Sequence, residues 1–271
     1  MNDPSDWTPL LNEIIRERKI DFSQYHEALI KRRISVRMHA KKCQSYNEYL
    51  DVLKRDPDEM EELLNVLTIN VTHFFRDPRV FEAIQKKILP EIFCQGTIAK
   101  KKIVRAWSCA SSGGQEATSL LILMSEYLKG DLAKSHVHIY GTDVDKGSVQ
   151  KARAGDYEDH EFKDMPEDLK KKYFVELENR HFCRKKELNK FLFFRQSDVI
   201  QDTPIHHVDL ILCRNVFIYF ERELQRLCLE KFHHALKPGG FLVLGLTEGI
   251  LGLPDKRFEV FDRENRIYRK E

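Results

Sequence analysis

No stretch of the 271-residue chain approaches the ~18 consecutive apolar residues that a membrane span requires. The six cysteines, at positions 43, 94, 109, 183, 213 and 228, are scattered. They form no C-x-x-C pair and no metal-ligand spacing, which argues against a zinc site or a disulfide scaffold. Cys109 and Cys213 fall within apolar runs, where a reduced thiol packs as a small apolar residue, so a reducing compartment is the simplest setting. The opening residues, MNDPSDWTPL, lack the basic and apolar regions of a signal peptide. The standard dinucleotide fingerprint G-x-G-x-x-G is missing as well. Net charge is only +2, too little for a global field that would gather nucleic acid or an anionic membrane. There are no internal repeats and no low-complexity tracts. Together these absences predict a soluble, cytoplasmic protein with no metal, no membrane insertion and no nucleic-acid partner.

What is present is a chain with enough apolar residues (42%) for a real core and enough charge (32%) for a solvated surface. The first hundred residues read as helices. Thr8-Pro9 is a cap followed by proline at the first helical position, and Leu10, Leu11, Ile14 and Ile15 make a helical stripe. Ser45 with Glu48 is a capping box. Asp56-Pro57 and Asp77-Pro78 repeat the cap-then-proline start, and Pro90 is expected to close the last of these segments. Beyond residue 100 come short apolar runs with helical segments between them: KIVRAWS (102–108), VHIYGTD (137–143), FLFFRQS (191–197), VDLILCRN (208–215) and GFLVLGL (240–246). That alternation predicts a parallel sheet covered on both faces. RFEVF (257–261) and RIYRK (266–270) predict a closing antiparallel hairpin. Residues 156–190 are charged, contain no glycine and interrupt the alternation, so they read as an insertion with a small helix and short strands. The expected organisation is a helical N-terminal domain over 1–90, a linker to about 101, and an α/β domain over 102–271.

Ligands of open α/β sheets sit outside the carboxyl ends of the strands, and three motifs fall at such ends. WSCASSGGQEATSLL (107–121) runs from a strand through a glycine turn into a helix whose free N–H groups can face a ligand; an ordinary strand–helix turn fits equally well. GTDVDKGSVQKAR (141–153) places Asp143 where a carboxylate can accept both hydroxyls of a ribose, with Asp145 as alternative or as a helix cap. ILCRNVFIYF (211–220) ends a strand in Arg214-Asn215. There Phe217, Ile218 and Phe220 read as core, Arg214 as the partner of a carboxylate, and Tyr219 as a ring that could face a ligand.

At this level of detail the chain resembles the chemotaxis receptor methyltransferases, the CheR family, over nearly its whole length. LTINVTHFFRD (67–77) is similar to the family's LT-x-N-x-T-x-FFR segment, and residues 107–120 to its W-S-x-x-x-STGEEPYSL loop. GTDVD, CRNVFIYF and LKPGGFLVLGLTE (236–248) resemble A-T-D-I-D, C-R-N-V-x-I-Y-F and L-x-x-G-G-x-L-x-L-G-x-x-E. The resemblance implies a Rossmann-like S-adenosylmethionine-dependent methyltransferase domain, mostly parallel with an antiparallel last strand, behind a small all-helical domain. It implies methyl transfer to glutamate side chains on chemoreceptor cytoplasmic helices, with S-adenosylhomocysteine as product and the enzyme acting as a monomer. Carried over by motif position, Asn70, Thr72 and Arg76 contact the cofactor from the domain junction. Glu116 and Asp143 bind its amino acid and ribose portions, and Asp198-Val199 and Asn215-Val216 flank the adenine and methionine moieties. Arg76 and Tyr219 lie near the transferring methyl. One departure stands out: Gln115 replaces the first acid of the family's Glu-Glu pair, and Ala117-Thr118 replaces Pro-Tyr.

Such chemistry needs no metal and no general base, because a glutamate carboxylate with a reference pKa near ~4.3 is already ionised at neutral pH. Arg76 suits the task of orienting a carboxylate, although an ion pair with Asp77 would explain it as well. A ring such as Tyr219 beside a sulfonium gives a cation–π contact. In the N-terminal region Lys31, Arg32, Arg33, Arg37, Lys41 and Lys42 precede a run of acids, and Arg33, Arg37 and Lys41 recur every four residues. That stripe is the expected docking surface for an acidic receptor helix, with a partly buried structural helix as the other reading. Some family members also grip a receptor C-terminal peptide through a glycine-bearing loop of the insertion. The absence of glycine from 156–190 favours recognition without it. Two rival functions are a nucleic-acid methyltransferase, which CRNV in place of an N-P-P-Y-like motif argues against, and a non-catalytic cofactor-binding regulator.

Overall fold

The computed structural model describes residues 6–68, 72–93, 103–129, 132, 136–250 and 257–271. The chain divides into two compact units, Met1–Asn70 with Tyr219–Gln225, and Val71–Ile218 with Arg226–Glu271.

Four helices build the first unit: α1 (Thr8–Arg18), α2 (Glu27–Ala40), α3 (Tyr46–Arg55) and α4 (Pro57–Leu67). Leu10, Ile14, Ile30, Ile34, Tyr49 and Leu63 are buried at its centre. The i, i+4 spacing of Leu10 and Ile14 in α1 is part of the helical stripe read from sequence, and Ile30 and Ile34 repeat that spacing in α2. Ser45 caps α3 by accepting from the Glu48 N–H, and Asp56 caps α4 by accepting from Asp58 and Glu59 N–H. The cap of α1 differs from expectation: Thr8 is already helical, and its own N–H donates to Asp6 Oδ1 at 2.9 Å. The segment from Tyr219 joins this unit through the Tyr25–Phe220 ring contact (4.9 Å) and the His26 N–H to Tyr219 C=O bond (2.9 Å).

The second unit is built on a seven-stranded sheet. Its strands are β1 (Val104–Cys109), β2 (Val137–Asp143), β6 (Leu192–Gln196), β7 (Val208–Cys213), β8 (Leu236–Leu244), β9 (Phe258–Asp262) and β10 (Ile267–Lys270), in the spatial order β6-β2-β1-β7-β8-β10-β9. The first five run parallel, and the β9–β10 hairpin closes the sheet antiparallel to β8. β1, β2 and β7 read as near-continuous apolar runs because their residues are almost all buried. Register pairs Cys109 with Thr142 and Asp143 with Gln196, so the carboxyl ends of adjacent strands finish at one level. That alignment builds the site.

Helices α7 (Gln115–Tyr127) and α8 (Lys146–Ala154) follow β1 and β2. The insertion holds β3 (Asp156–Glu158), α9 (Glu167–Tyr173), β4 (Phe174–Glu176) and β5 (His181–Arg184), the three strands forming an antiparallel sheet in the order β3-β5-β4. Residues 78–90, assigned above to the helical domain, belong with 91–93 to the second unit and pack into its core instead. Val80, Phe81, Ile84, Ile88 and Leu89 are buried in the same cluster as Val104 and Leu121. Nor does Pro90 end its helix. A π-helical turn (Ile84–Ile88) lies between α5 (Pro78–Ala83) and α6 (Leu89–Phe93), so Pro90, which has no N–H to donate, sits at the first turn of a new helical segment. Apolar periodicity predicted these helices but not which core would receive them.

Candidate active site

Five parallel strands end side by side, and each end delivers polar groups. After β1 the chain makes a strained turn, with left-handed backbone at Ala110 (φ 54°), Ser112 (φ 48°) and Gly114 (φ 82°). A side chain at Gly114 would also meet Ala152 Cβ at 2.8 Å, so glycine is required twice over. α7 starts at once after it and brings Glu116 beneath the turn. There Glu116 Oε1 accepts from Ser108 Oγ (2.8 Å), and Oε2 accepts from Arg214 Nη1 (3.2 Å). Burial pushes the Glu116 carboxyl above its ordinary pKa, while the Arg214 and Arg76 charges and the Ser108 bond pull it back.

Asp143 ends β2 and is buried. It accepts from Ser112 N–H (2.8 Å) and Asp145 N–H (2.9 Å), which ties it to the β1 turn. Burial raises its pKa to about 6, with the Asp145 charge adding to the rise and the backbone bonds opposing it. Asp145 itself takes the capping role, accepting from Gly147 and Ser148 N–H at the start of α8. At the end of β6, Asp198 Oδ1 accepts from Ile200 and Gln201 N–H, so this side chain shapes the local turn, and Val199 beside it is half-buried.

Arg214, at the end of β7, organises the site. Its side chain is 1% exposed, and it donates to Glu116, to Asp77 Oδ2 (2.7 Å) and to the Arg76 carbonyl (2.9 Å). The Arg76-Asp77 end of LTINVTHFFRD and the Arg214 of ILCRNVFIYF, far apart in the chain, therefore meet through one guanidinium. Asp77, read as a helix cap, makes no side-chain cap bond. Its carboxylate faces Arg214 instead, and its backbone is left-handed (φ 60°), as is that of Phe75 (φ 53°). The Phe75 N–H donates to Ser119 Oγ (2.9 Å) on α7. The Phe74 N–H donates to the Glu161 carbonyl of the insertion (2.8 Å), and the Phe74 ring joins the insertion's Tyr157, Phe162 and Phe174. The segment is thus clamped between insertion, α7 and β7.

Asn215 follows with φ 60°, a conformation asparagine tolerates better than most residues. Its turn is held by Glu248 from beyond β8: Oε2 accepts from Gly245 N–H (2.6 Å) and Asn215 N–H (3.0 Å), and Oε1 from Ile218 N–H (3.4 Å). Phe217 is core as read, but Ile218 is 42% exposed.

Sequence reasoning missed three groups here. Arg214 was weighed only as an ion-pair partner, Glu248 only as the end of a matched motif, and Glu161 not at all. Glu161 matters because buried Gln115 donates to its Oε1, and Lys151 pairs with it at 3.1 Å. Gln115, the departure from the family loop, thus faces a carboxylate, where glutamate would meet like charge.

Other candidates stand as follows. Thr72 is half-buried, Asn70 lies outside the described residues, and Tyr219 belongs to the helical unit. Within that unit Arg37 grips buried Glu59 with both arms of its fork (2.9 and 2.6 Å). Lys41 reaches Glu59 (3.2 Å) and Asp56 (3.0 Å), and Tyr49 OH donates to Glu59 at 2.6 Å. Burial pushes Glu59 up, but these bonds outweigh it and leave the carboxyl below its ordinary pKa. Arg33 donates to the Val66 carbonyl (2.5 Å). The stripe therefore has internal acceptors. The residues of α2 left exposed include Arg32, Val36 and His39.

A family model described as "CheR methyltransferase, SAM binding domain" matches residues 70–266, and one described as "CheR methyltransferase, all-alpha domain" matches residues 5–68. A chemotaxis protein methyltransferase of Listeria monocytogenes is 31% identical over 250 residues, covering 92% of each chain. An uncharacterized 104.1 kDa protein of Rhodobacter capsulatus is 28% identical over 92% of this chain, which spans only 26% of that longer relative. A solved S-adenosylmethionine dependent methyltransferase from Mesorhizobium loti is 14% identical, with a TM-score of 0.30 over 56% of this chain and 54% of that one. Sheet, strand-end residues and family match make this an S-adenosylmethionine-dependent methyltransferase. Within that class, the chain belongs to the CheR methyltransferase family.

The donor set suits the cofactor. Glu116 and Asp143 are enclosed carboxylates pushed toward their neutral forms, and a ligand with a cationic amino acid head and a ribose diol stabilises both as anions. With Asp143 as the acceptor of the ribose hydroxyls, cofactor affinity is expected to be level at alkaline pH and to fall as pH drops through about 6, where the carboxylate takes up a proton. Asp143→Asn is expected to weaken binding about tenfold or more at pH 8, the worth of one charged hydrogen bond, and to flatten that pH dependence. Calorimetry with S-adenosylhomocysteine from pH 5 to 8 checks both; an unchanged slope in the variant rejects the assignment.

Proposed function

We propose that this enzyme methylates glutamate side chains on the cytoplasmic helices of chemoreceptors, working in the cytoplasm as a monomer. The observation that supports the reading most is the Arg214 network. It brings the Thr72–Asp77 segment to Glu116 at the strand ends, so a basic side chain, Arg76, stands close enough to influence the Glu116 carboxyl. Bound S-adenosylmethionine supplies an electrophilic methyl on a positively charged sulfur. The chemistry it would supply is transfer of that methyl to a substrate carboxylate oxygen, with the carbon–sulfur bonding pair left on sulfur. No proton moves, and two opposite charges disappear. Enclosure by protein favours that loss of charge, so the residues act by orientation and exclusion of water. Glu116 holds the amino acid head, Asp143 the ribose, and Asp198-Val199 and Asn215-Val216 line the adenine and methionine portions. Asn70 and Thr72 assist the cofactor. Arg76 orients the incoming carboxylate, and the Tyr219 ring favours the charged donor over its neutral product. The name of the Listeria relative supports the chemotaxis setting.

Incubation with methyl-labelled cofactor, receptor cytoplasmic fragments and nucleic acid tests the reading. Base-labile methanol from the receptor fragment is the expected product. Label in nucleic acid, or cofactor binding without transfer, would overturn it. Docking on α2 calls for a two-part test. Arg37→Glu leaves buried Glu59 beside like charge, and loss of such a buried partner destabilises by about 3–5 kcal/mol, so a fall in Tm is expected there. Arg32→Glu on the exposed face is expected to keep Tm while raising the receptor KM several-fold, with cofactor affinity unchanged; an unaltered KM rejects docking through this face.

A further inference from the structure

A cleft of about 450 Å³ lies at the β6 end of the sheet, and none of Glu116, Asp143, Asp198 or Asn215 lines it. Three guanidiniums do: Arg153, Arg184 and Arg195. No Asp or Glu is among the described lining residues. Arg184 is 3% exposed, yet its acceptors are all neutral: Asn189 Oδ1 (2.9 Å), Thr118 Oγ1 and Tyr157 OH (both 3.2 Å) and the Ala152 carbonyl (3.0 Å). Arg153 donates from Nε and Nη2 to the Phe194 carbonyl (3.0 and 2.7 Å), and Arg195 from Nη2 to the Thr203 carbonyl (3.2 Å). Buried charge is ordinarily matched by opposite charge, and here buried Arg184 has dipoles alone, with the exposed Arg153 and Arg195 lining the same concavity. Among the described lining residues the cleft is thus positive, with no carboxylate to balance the three arginines. Arg153 and Arg195 retain guanidinium donors beyond these bonds, as a fork for phosphate oxygens requires. The apolar side of the cleft is aromatic. Phe193 is 42% exposed and lies against Tyr140 with ring centroids 5.4 Å apart at 30°. A large exposed ring beside an anion site is a platform for a planar base.

We propose that this cleft is a second ligand site, distinct from the cofactor site, and that it takes a nucleoside phosphate. The phosphate sits on Arg153 and Arg195, Arg184 supplies the fixed positive charge beneath them, and the base stacks on Phe193 and Tyr140. The volume lies within the roughly 300–1,000 Å³ of small-molecule sites and suits a mononucleotide.

Calorimetry on the full chain, with the cofactor site saturated by S-adenosylhomocysteine, tests this with AMP and GMP as probes. Adenosine, inorganic phosphate and a glutamate-rich peptide are the comparisons. Saturable binding of at least one nucleotide is expected, with adenosine and phosphate each weaker by about tenfold or more, since each lacks one half of the recognition. Arg195→Gln and Phe193→Ala, both exposed, should each weaken the nucleotide about tenfold while Tm and S-adenosylhomocysteine affinity stay unchanged. No heat from either nucleotide at millimolar concentration overturns the proposal. So does nucleotide binding that both variants leave intact, binding seen only when the cofactor site is empty, or binding of the acidic peptide alone.

Discussion

Arg214→Leu is expected to abolish methyl transfer while leaving a folded but weakened protein. The guanidinium is 1% exposed and touches two carboxylates and a main-chain carbonyl, from α7 and from the turn before α5. Removing one member of a buried ion network typically costs about 3–5 kcal/mol, because the remaining charges are left enclosed without a partner. Against a typical total stability of about 5–15 kcal/mol the variant still folds at low temperature. Activity falls further than stability. Without Arg214 nothing described ties Asp77 to the strand end, Arg76 loses its carbonyl anchor, and misplacement by about 1 Å can alone cost a hundredfold in rate. Arg214→Lys separates charge from shape: an ammonium keeps the sign but cannot fork to three acceptors, so stability recovers in large part and turnover does not. Thermal unfolding paired with initial rates at saturating cofactor checks both variants. If the lysine variant recovers full turnover, Arg214 acts only as a charge.

The second large effect is expected from Gln115→Glu, which restores the residue that the family resemblance implies. Buried Gln115 donates to Glu161 Oε1, and Glu161 already holds Lys151 and the Glu158 N–H while its carbonyl receives Phe74. A second carboxylate would leave one lysine between two buried anions. One of them must then take up a proton or move, at a cost on the order of 2–4 kcal/mol by the rule for like charges in enclosed sites. Because the disturbed residues bear on both the cofactor turn and the Phe74 clamp, cofactor KM and kcat should both suffer. Glu161→Gln in the same chain removes the conflict and should return most of the lost activity. A double variant no better than Gln115→Glu rejects the coupling. The departure in the loop is thus matched by a particular residue 46 positions later.

Much of the architecture is written in local pattern. The strand runs at 137–143 and 208–213, the closing hairpin, the insertion and the caps at Ser45 and Asp56 follow from apolar alternation, charge and turn chemistry. What pattern does not encode is which long-range partner a residue meets. Asp77 before proline has every local mark of a helix cap, yet a buried arginine 137 residues later takes its carboxylate. Arg33, Arg37 and Lys41 recur as a solvated stripe would, but α4 brings Glu59 to Arg37 and Lys41 and the Val66 carbonyl to Arg33. Residues 78–93 are helical by any local criterion, and their apolar face matches the second core as well as the first. In the site, the acids at strand ends were legible because position along a strand fixes their place. Arg214, Glu161 and Glu248 were not, because their roles depend on what the fold brings opposite them.

Among the described residues, Glu248 accepts from main-chain N–H groups, those of Gly245, Asn215 and Ile218. A loop pinned through its backbone does not depend on the identity of its side chains. Ile218, which projects outward, can therefore drift in the course of evolution without unseating the turn. A scaffold of this kind would let the range of acceptors diverge among relatives while the donor pocket stays the same.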